Sequence, residues 1–229
     1  MSLTCLNPDP QSLTMTEMET AKMINLIGLH GKKRAGKDTV YSILNDYLEF
    51  SVKRDGFADR LKLSAIRCFA PDADLEGAIE VANMLKEKGS LILLNEETQD
   101  SLSITGREYL QNYGTEAHRD VFDKDFWISA VLPDLDDKLN FGRKDEEPWH
   151  LLVITDVRFP NEAEAVRKAG GVIWHVVRPG EDDEDTHASE IPLPDDLINF
   201  TIKNDGSLED LEETVRKAWN LLPVLKELS

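Results

Sequence analysis

The stretch MINLIGLH, GKKRAGKDT, VYSILNDYL, running unbroken from Met23 to Leu48, decides the fold. Its first part is a near-continuous apolar run, the pattern of a strand buried on both faces of a parallel sheet. Its last part sets Val40, Ile43, Leu44, Tyr47 and Leu48 on one side of a 3.6-residue repeat, which predicts an amphipathic helix. Between them Gly31, Gly36 and Lys37 keep phosphate-loop spacing, with Asp38 where Ser or Thr is usual and Thr39 one place later. Glycines let the backbone curl until several N–H groups point inward, and the helix adds its positive end. Lys37 then reaches the outer phosphates of a bound nucleotide as a mobile point charge. Strand before and helix after separate this from an ordinary glycine turn with a solvated basic cluster.

Working outward, strands and helices continue to alternate. Leu61 to Ile66 and Leu75 to Leu85 read as helices, with Gly89 a plausible stop. Thr105 and Glu108 form a capping-box pair, so a helix should begin at Gly106. Asp125-Phe126-Trp127 leads another through Leu132. Leu151 to Thr155, Val172 to Val177 and Leu197 to Ile202 read as further strands. Helices are expected over Glu162 to Ala169 and, behind the Ser207 cap, from Leu208 to Leu222. This order predicts an α/β fold, a three-layer P-loop kinase-like arrangement with a central parallel sheet flanked by helices. The expected organisation is a loose arm over 1–22 and one domain over 23–229. Within it, residues of about 55–135 form a helical acceptor-binding excursion and about 179–195 a short lid.

The chain has 229 residues, ordinary hydrophobic content and no apolar run near the roughly 20 residues that cross a bilayer. No secretory signal is read in the polar opening segment. Cys5 and Cys68 make no disulfide framework, so a cytoplasmic location is expected. Net charge is −18, from 44 acidic and 26 basic residues, which disfavours a nucleic acid polymer as partner. The basic residues gather at Lys32, Lys33, Arg34 and Lys37 and again at Arg107, Arg119, Arg158 and Arg178. An acidic body with a basic pocket suits a small phosphorylated substrate.

Candidate chemistry follows the same logic. Asp156 stands at the carboxyl end of a buried strand, where open α/β sheets place ligands, and could hold a magnesium-bound water or meet the acceptor. Arg158, two residues on, could steady transferring phosphate oxygens. Glu162 is either an acceptor-side carboxylate or a helix-start carboxylate that orients Arg158. Arg107 in a first helical turn is electrostatically misplaced unless an anion binds there. Arg119 lies about 18 Å farther along one straight helix and shares a phosphate with Arg107 only if Gly114 breaks it. Trp127 is a nucleobase platform or a core indole. Asp59 meets the substrate or caps the helix ahead of Leu61. The five histidines show no metal-ligand spacing, and no G-x-S-x-G elbow is present.

GKKRAGKDTV, FADRLK, TGREYLQNYGTEAHRD, DFW, VITDVRFPNEAEAV, VVRP, THASE and IKNDGSLEDL stand in one order between Ile24 and Leu211. In these motifs the chain resembles the deoxynucleoside monophosphate kinases of tailed bacteriophages. The resemblance implies transfer of the ATP γ-phosphate to a deoxynucleoside monophosphate with Mg²⁺. It implies Lys37, Arg107, Asp156 and Arg158 as catalytic, and Gly31, Arg34, Gly36, Lys37, Asp38 and Thr39 as the ATP loop. Asp38 or Thr39 is then the residue nearest the metal. Asp59, Arg107, Arg119, Trp127, Asp156, Arg158 and Glu162 fall on the acceptor side, and a homodimer is implied. Rival expectations are a kinase for another phosphorylated metabolite, of the phosphomevalonate type, and a non-catalytic nucleotide sensor.

Overall fold

In the computed structural model the described residues are 26–94, 101–132, 151–179 and 192–227. The 1–22 arm, the charged 133–148 loop and most of the expected lid lie outside them. The central sheet has five strands in the order β2-β5-β1-β6-β7, all parallel. They are β1 (Leu26–His30), β2 (Val52–Asp55), β5 (Leu151–Val157), β6 (Val172–Val177) and β7 (Phe200–Lys203). A separate antiparallel pair joins β3 (Ser90–Leu94) to β4 (Ser101–Thr105). The helices are α1 (Lys37–Tyr47), α2 (Phe57–Arg67), α3 (Leu75–Lys88), α4 (Gly106–Gln111), α5 (Phe126–Val131), α6 (Pro160–Lys168) and α7 (Leu208–Glu227). This is the expected parallel sheet flanked by helices.

Successive residues of a strand face opposite sides, and the core divides accordingly. Ile27, Leu29, Leu151 and Val153 pack under Val40 and Leu44 of α1 and Val215 and Ala218 of α7. Leu26, Leu152 and Ile154 face the other way, onto Ala163 and Val166 of α6 and Val131 of α5. Each large side chain so buried contributes about 1.5–3 kcal/mol. A third cluster, Ala65, Ile66, Ala78, Ala82 and Leu110, binds α2, α3 and α4 into an excursion inserted between β2 and β5.

Several boundaries differ from the sequence reading. α2 begins at Phe57 and not at Leu61, and α6 at Pro160 and not at Glu162, where the proline suits the first helical turn. β2, β3 and β4 were not expected from the sequence. The expected fourth strand starts later, at Phe200, because Asp195–Leu197 forms a short 3-10 turn. The helix from Gly106 is not broken at Gly114; it widens into a π-helical segment over Asn112–Arg119.

The register of β1 against β5 positions the site. Gly28 pairs with Ile154 and His30 with Val157, so two steps of β1 match three of β5. The extra residue is a bulge next to Asp156, a device that re-aims a side chain at a strand end.

Candidate active site

The loop after β1 has the geometry of a phosphate cradle. Gly31 has φ +148°, and a β-carbon there would strike the Val176 carbonyl of β6. Arg34 and Gly36 also take positive φ, 63° and 105°. The Asn204 side-chain amide donates to the Ala35 carbonyl (2.9 Å) and fixes the loop from the end of β7. Lys37 crosses the mouth, its ammonium donating to the Gly31 and Lys32 carbonyls at 2.7 Å each. Directly beneath, His30 is buried. Its Nδ1 lies 3.0 Å from the Val157 carbonyl, and its Nε2 accepts from the Leu193 N–H at 3.5 Å. Desolvation by burial lowers its pKa to about 4, so the imidazole is neutral and acts as a latch.

Asp38 is exposed in the first turn of α1, its side chain 84% accessible and 3.6 Å from the Arg54 guanidinium. Thr39 is exposed beside it. Their oxygen donors face outward at the loop, the hard-ligand set Mg²⁺ takes beside phosphates. Arg54 of β2 also donates to Asp59 (2.8 Å). Burial opposes the charge on Arg54, but the Asp59 and Asp38 carboxylates outweigh it and raise the pKa.

On the acceptor side the carboxylates do structural work. Asp156 accepts from the Phe57 N–H (2.8 Å) and the Ala58 N–H (2.7 Å), so it caps α2 from a different strand. Burial raises its pKa, against the pull of Arg158 and those two N–H groups. Both of its oxygens hold the start of α2, a structural role that the sequence reading did not include. Asp59, 3% exposed, is neither the cap nor open to a substrate; it pairs with Arg54 and Lys62.

Glu162, 4% exposed, accepts from the Arg158 N–H (2.7 Å) and the Phe159 N–H (3.0 Å). Of its two expected roles the structure contains the helix-start one, which fixes the backbone at Arg158. Burial and the nearby Asp156 charge raise its pKa to about 7. Arg119 donates to Glu162 (3.3 Å) and lies over the Phe159 ring at 4.0 Å. The condition for sharing a phosphate with Arg107, a break at Gly114, is not met, and this carboxylate and ring hold Arg119 in place. Of the two expected readings of Trp127, the structure contains the core indole. It is 5% exposed, gives its N–H to the Gly114 carbonyl (3.0 Å) and sits among Tyr113, His118 and Phe126. That indole is core, with no face open to a base.

What does converge is positive charge. Lys86 of α3 lies within electrostatic reach of Arg158, Arg107, Lys62 and Lys33. These come from five elements: α3, the end of β5, the first turn of α4, α2 and the phosphate loop. In a chain of net charge −18, such a local group of cations is suited to an anionic ligand.

A family model described as deoxynucleotide monophosphate kinase matches residues 64–215. The chain belongs to that family. It is 34% identical over 179 residues to the putative deoxynucleotide monophosphate kinase of Acanthamoeba polyphaga mimivirus, covering 73% of this chain and 81% of that protein. It is 32% identical over 149 residues to the deoxynucleotide monophosphate kinase of Enterobacteria phage T4, covering 65% of this chain and 58% of that protein. The match to the Escherichia phage RB69 protein of the same description is 32% over 111 residues, 48% of this chain and 43% of that one. The chain thus spans little more than half of the T4 protein it matches. Among solved structures, a dephospho-CoA kinase from Campylobacter jejuni superposes with TM-score 0.39 at 18% identity, covering 85% of this chain and 95% of that one.

Lys62, Lys86, Arg54 and Asn204 join the contacts around the loop and the cations, and the sequence assigns none of them a role of its own. Asn204 reads as a turn residue, and Lys86 as one of the two lysines beside Glu87 in MLKEK. Only the meeting of elements distant in sequence marks them. No helix among the described residues is long and apolar enough to cross a membrane.

Proposed function

We propose that this protein transfers the terminal phosphoryl group of ATP to a deoxynucleoside monophosphate. What supports the reading is a phosphate-type loop together with a second group of cations. The loop of Gly31 to Thr39 follows β1, and Arg107 and Arg158, on separate elements, both act electrostatically on Lys86, as does Lys33 of the loop. A sensor of one nucleotide has no use for the second site. The acceptor's identity is taken from the names of the relatives.

The loop amides and Lys37 hold the triphosphate, and the start of α1 adds its positive end. Arg34, exposed at the loop's positive-φ turn, flanks the same phosphates. Asp38 and Thr39 would hold Mg²⁺, which when bound neutralises charge on the outer phosphates. Arg158, its backbone fixed by Glu162, and Arg107 offset the charge of the moving group. Asp156 acts by holding α2. The attacking oxygen belongs to a phosphate monoester, already a nucleophile near neutral pH, so the reaction asks mainly for positioning and charge stabilisation.

The test is ADP release across the four common deoxynucleoside monophosphates, with Lys37→Ala as control. The wild type should turn over at least one of them. The variant should lose at least about a hundredfold in kcat while its circular dichroism and melting temperature are retained. Tight ATP binding with no deoxynucleotide phosphorylated, or selective turnover of an isoprenoid phosphate, would contradict the reading.

A further inference from the structure

We propose that the Lys86 ammonium binds the phosphate of the acceptor nucleotide, as a third cation beside Arg107 and Arg158. This rests on the two-substrate reading above and extends it to a residue that no motif marks.

The geometry is set by the end of α3 against the start of α4. The Gly106 N–H donates to the Gly89 carbonyl (2.9 Å), and the Leu85 carbonyl lies where a β-carbon on residue 106 would stand. Lys86 and Arg107 each follow directly on the two residues that meet at that crossing, Leu85 and Gly106, and the Arg107 charge acts on Lys86. Lys62 approaches from α2, which packs on α3 through Ala65, Ile66, Ala78 and Ala82. Lys62 already has a carboxylate, Asp59 at 3.2 Å. Lys86 is half-buried, and the charges that act on it are all cationic. Burial, then the charges of Arg158, Arg107, Lys62 and Lys33, lower its pKa to about 8. A half-buried lysine surrounded by cations is a poor element of a resting fold and a good ligand for a dianion, which restores its charge on binding. Its neighbours on α2 and α4 place it on the acceptor side, whereas Lys33 belongs to the donor loop.

Three variants and one titration test this. Lys86→Met should raise the KM for the deoxynucleotide at least tenfold and leave the KM for ATP within twofold. Its melting temperature should be unchanged or higher, because the substitution removes a disfavoured charge. Lys86→Arg should restore the acceptor KM to within about threefold of wild type. In the wild type, kcat/KM for the acceptor should fall as pH rises through about 8, where Lys86 loses its proton. Lys86→Arg stays charged and should lack that limb, while Lys33, Lys62 with Asp59, Arg107 and Arg158 are all still present. Lys62→Met, whose lysine is held by Asp59, should shift the acceptor KM less than Lys86→Met. An acceptor KM unchanged in Lys86→Met, equal increases in both KM values, or a limb that persists in Lys86→Arg overturns the proposal. Should the wild type phosphorylate no deoxynucleotide, the functional reading fails, and inorganic phosphate decides the lysine separately. A rise in the Lys86 pKa with added phosphate, followed by lysine-selective NMR, supports the anion site; a constant value overturns it.

Discussion

At the scale of single residues, type and spacing are enough to read the glycine-lysine loop, whereas the residues after β5 depend on partners. Gly31, Gly36 and Lys37 act through their own loop, so nine consecutive residues carried the reading. Asp156 and Arg119 bond to residues far away in sequence, contacts that their own sequence neighbourhoods do not announce. Asp156 supplies the carboxylate that satisfies the first N–H groups of α2, which Gly56 as N-cap has no side chain to do. Asp156→Asn keeps one acceptor and presents an amide N–H₂ to the other donor. It should lower unfolding stability by about 1–3 kcal/mol in urea denaturation. An equal or greater stability would show that the cap carries no load.

At the scale of elements, helices with local signals were legible and short strands were not. The Thr105–Glu108 capping box forms, with the Thr105 N–H 2.8 Å from the Glu108 carboxylate and the Glu108 N–H 3.2 Å from the Thr105 hydroxyl. The Ser207 cap forms in the same reciprocal way with Asp210. β2 escaped because VKRD has only one apolar residue and lies at the sheet edge, held by its pairing with β5. The π segment escaped because nothing in NYGTEAHR declares a wider turn; packing of Gly114 against Leu61 and the indole of Trp127 accompanies it. Trp127 therefore belongs to the element scale. Trp127→Ala should cost about 3–5 kcal/mol of stability, read by chemical denaturation. In the folded fraction it should change the acceptor and ATP KM values to a similar degree. A selective rise in the acceptor KM without loss of stability would restore the stacking role.

For the whole molecule, the parallel sheet sets the site. β1 and β5 are neighbours, and the helices that follow them, α1 and α6, cover opposite faces. Ligands of such sheets lie beyond the carboxyl ends of the strands, at the crevice between diverging connections. The phosphate loop and the Asp156 to Arg158 segment leave from those ends. The excursion between β2 and β5 then brings Lys62, Lys86 and Arg107 over the same point. The overall charge of −18 says nothing of this local set, in which Lys62 and Lys86 are half-buried and Arg107 and Arg158 exposed. The central claim is that one crevice holds two phosphorylated ligands end to end. A co-crystal structure with a bisubstrate analogue, adenosine joined to a deoxynucleoside through five phosphates, tests it most directly. The account predicts one analogue per chain, its phosphate chain running from the Gly31–Thr39 amides to Arg107, Arg158 and Lys86. An analogue bound through its adenosine end alone, with the far phosphates in solvent and those three side chains uncontacted, would contradict it.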